Sequence, residues 1–123
     1  MILRGGANIY PAEVEAAVMA HPEVRSCVVV GLPDPEFGQS VHAILELSET
    51  ADAQSVADSM SGFLADRLSR YKHAESFEIV FAGPRDDSGK VRRTLLRDER
   101  AAWLKEGRAF RIMPSRVTAK GVA

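Results

Sequence analysis

Cysteine is almost absent from this chain. Cys27 is the only one in 123 residues, which excludes an internal disulfide. It stands in the apolar run Cys27-Val28-Val29-Val30, where a small buried hydrophobe is the expected role. No apolar stretch approaches the ~20 residues of a membrane-spanning helix, and the N-terminus lacks a signal-peptide pattern, so the cytoplasm is the expected location. Charge of one sign is not in surplus either. The 16 basic and 17 acidic residues leave a net charge of −1, with no general pull toward nucleic acid or an anionic membrane. The histidines His21, His42 and His73 have no metal-ligand spacing, and capping or surface roles are expected of them. Aromatic residues make up 7%. Phe63, Phe77, Phe81 and Trp103 fall at helix or strand spacing, as core residues rather than a cofactor box.

What is present is ordinary globular composition, 46% hydrophobic and 27% charged, at the size of one domain. Such a chain buries a core but has little room for a multi-substrate cleft as well. Residues 2–4 read as a short strand, and Gly5-Gly6 as a tight turn at positive φ. Pro11 suits the first position of a helix. Val14, Ala17 and Val18 form its apolar stripe, and His21-Pro22 stops it. Residues 24–32 read as a buried β-branched strand, residues 33–38 as a turn, and residues 39–47 as an alternating strand antiparallel to the first. A helix is expected over residues 51–70, a third strand over 76–81, and a last helix from Thr94 to Lys105. The fold class is therefore α+β: a small three-stranded sheet, mainly antiparallel, covered by about three helices, plus a short N-terminal β segment. The expected domain is 1–106, with 107–123 as a flexible tail.

The polar stretch Asp87-Ser88-Gly89-Lys90 is the strongest chemical candidate. A lysine after Ser-Gly places a compact ammonium on a long stem, where it can neutralise phosphate oxygens as charge develops. Taken alone, it also fits an exposed turn lysine. Residues 83–90 lack the Gly-x4-Gly-Lys-Ser/Thr spacing of a P-loop. The basic run Arg92, Arg93, Arg97 and Arg100 reads as a solvated helix face.

Longer segments narrow the choice. Gly5-Gly6-Ala7-Asn8-Ile9-Tyr10-Pro11-Ala12-Glu13-Val14-Glu15 comes first. Val29-Val30-Gly31-Leu32-Pro33-Asp34-Pro35-Glu36-Phe37-Gly38, Tyr71-Lys72 and Pro84-Arg85-Asp86-Asp87-Ser88-Gly89-Lys90-Val91 follow. In order and spacing they resemble the C-terminal domain of adenylate-forming enzymes: acyl-CoA synthetases, luciferases and peptide-synthetase adenylation domains. The resemblance covers roughly residues 1–104 and is strongest to acyl-CoA synthetases. It implies a mobile domain that works with a larger N-terminal ATP-binding domain of the same parent chain. The substrates would be a carboxylic acid, ATP and CoA, with Mg²⁺ in the full-length enzyme. By this resemblance Lys90 serves acyl-AMP formation, with Ser88 and Gly89 beside it, and Gly5 and Gly6 line the passage of the CoA pantetheine arm. The chain is then expected to begin at the family's hinge and to be inactive alone.

Some positions depart from the family pattern. His73-Ala74 stands where a residue and proline are common, Gly83 where leucine is common, and Asp86 where threonine is common. Two alternatives stay open at this point: a peptide-synthetase adenylation subdomain serving a carrier protein, and a non-catalytic interaction module.

Overall fold

The computed structural model describes residues 1–81 and 93–115. Its first element is a hairpin of β1 (Ile2–Arg4) and β2 (Ala7–Ile9), paired antiparallel with Arg4 opposite Ala7. Gly5 and Gly6 join the strands with φ of 57° and 86°. Positive φ at both central residues is what a type I′ hairpin turn requires, and only glycine supplies it without steric cost.

Helix α1 (Pro11–Met19) begins with Pro11 in its first turn, where no backbone donor is lost. Strands β3 (Val24–Asp34) and β4 (Gly38–Leu47) then form the expected antiparallel pair. The turn between them is held by Asp34, whose Oδ2 accepts from the backbone N–H groups of Glu36 at 3.1 Å and Phe37 at 2.8 Å. Helix α2 (Ala53–Leu64) carries a side-chain N-cap: Asp52 accepts from the Ser55 N–H at 2.9 Å. After a single 3₁₀ turn at Arg70–Lys72, β5 (Ser76–Ile79) pairs parallel with β4. A parallel neighbour needs a long crossover, and α2 provides it. The last helix is α3 (Arg93–Lys105).

The sheet order β3-β4-β5 places β4 in the centre. Alternation along it sorts the core into two layers. Val41, Ala43 and Leu45 face α1 and α2, together with Val14, Val18, Val56, Met60, Leu64 and Phe77. Ile44 faces the other way with Val28, Val30 and Leu32, where Leu96 and Leu104 of α3 and Phe110 cover them. A register shift between Val24 and Ser26 lets Val24 and Cys27 share one face despite their odd spacing. Cys27 is fully buried.

Four sequence expectations are corrected here. The helix expected over 51–70 ends at Leu64. Past that point Ala65 N–H bonds Gly62 O and Arg67 N–H bonds Leu64 O, three residues back, with Leu68 N–H also on Leu64 O, and Leu68 closes over the core. His42 is completely buried rather than at the surface, whereas His21 has the expected capping role, its Nδ1 accepting from the Glu23 N–H at 3.1 Å. Arg100 is 5% exposed, so the basic run is not uniformly a solvated face. Phe81, expected in the core, is 97% exposed because β5 stops two residues before it.

Residues 108–115 run back across the outer edge of β5. Phe77 and Ile112 exchange both backbone bonds, at 2.9 and 2.7 Å, which gives the edge strand a partner. Gln54 Nε2 donates to the Met113 carbonyl at 3.0 Å, and the Ser115 N–H donates to Asp58 at 2.6 Å.

Candidate functional site

The Gly5–Gly6 turn stands beside the turn that joins β3 to β4. Gly5 N–H donates to the Phe37 carbonyl at 2.9 Å. The two glycines face different surroundings. A Cβ on Gly5 would sit 3.4 Å from Phe37 Cδ1, whereas one on Gly6 would meet no atom of the described residues within 4 Å. Gly6 therefore offers bare, open backbone, and Gly5 is the packed member of the pair.

Arg4, immediately before the turn, ties it to the sheet. Its Nε and Nη2 donate to both carboxylate oxygens of Glu75 at 2.7 and 2.9 Å. Glu75 Oε2 also accepts from the Val41 N–H of β4 at 3.1 Å. The same guanidinium lies 4.2 Å from the centre of the Phe37 ring, a cation–π stack. The hydrogen bonds to Glu75 push the Arg4 pKa above its ordinary value, outweighing partial burial. Around this corner the exposed apolar side chains are Leu3, Tyr10 and Phe37. Arg4 and Glu75 also line a groove of about 1140 Å³, together with Tyr71, His73 and Met113.

The second predicted part of the site, Ser88, Gly89 and Lys90, lies outside the described residues, as does the rest of the Pro84–Val91 motif. Its two flanks are described. On one side β5 ends at Ile79. On the other, Arg93 opens α3 with Nη2 on Glu15 Oε2 at 2.7 Å and Nε on the Val29 carbonyl at 3.2 Å.

A buried polar cluster fastens α3 to the sheet. Arg100 Nε and Nη2 donate to Glu78 Oε1 and Oε2 at 2.9 and 2.6 Å. His42 Nε2 lies 3.0 Å from Glu78 Oε1, and Nδ1 lies 2.8 Å from Ser76 Oγ. Burial lowers the His42 pKa, outweighing the pull of Glu78, so the imidazole is neutral at pH 7. Burial pushes Glu78 up, but the bonds from His42 and Arg100 hold it below the ordinary carboxylate value. An ionised carboxylate only accepts, so Nε2 carries the His42 proton and donates to Glu78. Ser76 then donates to Nδ1. Sequence reasoning missed this cluster. The alternation of β4 put His42 on the same face as Ile44, which was the available signal.

Among the described residues no group of three His, Cys, Asp or Glu side chains could hold a metal ion. No helix among them is long and apolar enough to cross a membrane.

The model of the AMP-binding enzyme C-terminal domain matches residues 13–90. This chain belongs to that family. The match runs from the second residue after Pro11 to Lys90 and so includes β3, β4, α2 and β5. Among curated relatives, a 2-succinylbenzoate–CoA ligase of Bacillus velezensis is 40% identical over 104 residues, covering 85% of this chain and 20% of its own length. An acyl-CoA synthetase of Brucella canis superposes with a TM-score of 0.75 at 30% identity, covering 87% of this chain and 19% of that one. The o-succinylbenzoate CoA synthetase of Bacillus subtilis, solved with its acyl-adenylate intermediate, gives 0.67 at 36% identity over 79% of this chain and 19% of that one. The domain thus spans about a fifth of the length of the curated relatives it matches.

Proposed function

We propose that this domain is the mobile C-terminal part of an ATP-dependent acyl-CoA ligase, inactive by itself. The observation that carries the reading is the family match that extends through Lys90, in a fold shared with acyl-CoA synthetases. The proposed unit is residues 1–106, with residues 108–115 packed along its β5 edge. The larger remainder of the relatives' length corresponds to the N-terminal ATP-binding domain that would partner it.

The reaction has two steps. In the first, the substrate carboxylate attacks the α-phosphorus of ATP, and pyrophosphate leaves with its bonding electrons; Mg²⁺ bound by the full-length enzyme would neutralise part of that charge. Lys90 supplies a mobile ammonium to the oxygens on which charge accumulates. Ser88 and Gly89, next to it in sequence, are assigned to the same site. In the second step, the CoA thiolate attacks the acyl carbonyl and AMP departs. Gly5 and Gly6 border the thiol's path, and the bare face of Gly6 suits close approach of a narrow pantetheine arm.

The test uses the full-length protein that carries this domain, with an acid, ATP and CoA. Wild-type protein is expected to release AMP and pyrophosphate and form a thioester, and residues 1–123 alone are expected to form none. Lys90→Ala should slow acyl-AMP formation by roughly 10²–10³-fold while still converting supplied acyl-AMP and CoA to thioester near the wild-type rate. Normal rates in both half-reactions would overturn the role given to Lys90.

A further inference from the structure

We propose that Arg4 and Glu75 are positioning residues for the Gly5–Gly6 turn, so that their ion pair sets the efficiency of thiol transfer. The inference rests on the ligase reading above and deepens it.

The hairpin belongs to a separate two-stranded sheet. It shares no strand ladder with β3-β4-β5. Its inner face is anchored by Ile2 and Ile9, both buried in the core. Apolar contacts of this kind hold a hairpin down but do not fix its tilt or slide, because they are non-directional. Direction comes from hydrogen bonds. Among the described residues these are Gly5 N–H to the Phe37 carbonyl, Leu3 N–H to Gln39 Oε1 at 2.7 Å, and the two-pronged bond from Arg4 to Glu75. The last has the most defined geometry, since a planar guanidinium fork meets a planar carboxylate. Glu75 is itself fixed by the Val41 N–H in the central strand. The chain of contacts therefore runs from the middle of the sheet, through Glu75 and Arg4, to the residue that precedes Gly5. The Arg4 stack on Phe37 closes the circuit, because Phe37 holds Gly5 by its carbonyl and its ring stands 3.4 Å from where a Gly5 Cβ would be.

Displacing a substrate-bordering backbone by about 1 Å can cost as much as ~10²-fold in rate. A partial displacement is expected to cost about tenfold. The experiment measures both half-reactions in the full-length protein for wild type, Arg4→Ala, Arg4→Lys and Glu75→Gln. Arg4→Ala and Glu75→Gln should each lower kcat/KM for CoA with supplied acyl-AMP by about tenfold, while acyl-AMP formation stays within about twofold. Arg4→Lys keeps the charge opposite Glu75 but loses the planar fork and the stack on Phe37, so it should recover only part of the loss. It also covers the case in which Arg4→Ala fails to fold. Equal losses in the two half-reactions, or thiol transfer unchanged in all three variants, would overturn the proposal. A wild-type protein that forms no thioester would overturn the ligase reading instead, before any substitution is compared.

Discussion

Glu15 and Arg93 meet at 2.7 Å across 78 residues of sequence, over the edge of β3 away from β4. The carboxylate accepts the Val29 N–H at 2.8 Å, and the guanidinium donates to the Val29 carbonyl at 3.2 Å. Two side chains thus do for Val29 what a further strand would do. A fully buried residue at a sheet edge otherwise leaves its backbone groups unpaired, which costs more than the bonds themselves contribute.

Loss of this clamp is expected to be graded. Glu15→Ala strips a partner from a buried N–H and should destabilise the domain by about 2–3 kcal/mol. Glu15→Gln keeps an acceptor for Val29 and should cost about 1 kcal/mol. Arg93→Ala should cost about 1 kcal/mol or less, since its side chain is 36% exposed. Urea unfolding of the three variants checks the ranking. Glu15→Ala matching Glu15→Gln would show that the Val29 N–H does not depend on the carboxylate.

Stability is expected to fall in acid in two stages. Burial depresses the His42 pKa below its ordinary 6.5, so the folded state binds fewer protons than the unfolded state. The contribution is present in full above that value and is lost as pH falls through the folded pKa. Glu78 is also depressed, from 4.5, and its contribution disappears at lower pH again. The His42 stage has a slope of at most about 1.4 kcal/mol per pH unit. His42→Gln can still donate to Glu78 but does not titrate. Melting temperatures from about pH 7.5 to 5 should therefore show the upper stage in wild type and not in His42→Gln. Parallel curves would contradict the neutral assignment of His42.

The two turn glycines should separate stability from thiol transfer. An L-residue at either positive φ costs about 1–2 kcal/mol, so Gly5→Ala and Gly6→Ala should lower stability by similar amounts. Among the described residues, only the Gly5 side chain would meet a neighbour, at 3.4 Å from Phe37 Cδ1. In the full-length protein, Gly6→Ala should slow thioester formation from acyl-AMP by about tenfold or more, and Gly5→Ala by much less. Gly6→Asn is the control, because asparagine tolerates the left-handed region and keeps the added bulk. If Gly6→Asn is stable and fast, the bare face of Gly6 does not border the thiol.

Local rules sufficed for much of the fold. Pro11 at a helix start, positive φ at Gly5-Gly6, the Asp34 turn and the alternation of β4 each depend on neighbours in sequence. They emerged near their observed positions for that reason. The length of α2 did not, because propensity favoured continuation and the core required Leu68 to turn back. Phe81 was misplaced for a similar reason. Its strand stops at Ile79, and nothing in four apolar residues marks which of them is the last to pair.

The sequence by itself determined the family, through motifs spread from Gly5 to Lys90, and with it the expected chemistry of the glycines and the lysine. Tertiary structure alone decided the polar contacts. Arg4 reaches Glu75 across 71 residues, Glu15 reaches Arg93 across 78, and His42 reaches Glu78 across 36. Each charged member looks like a surface residue in its own segment. Burial of such a group depends on a partner arriving from elsewhere in the chain to offset its lost hydration, and only the packed fold brings that partner within reach.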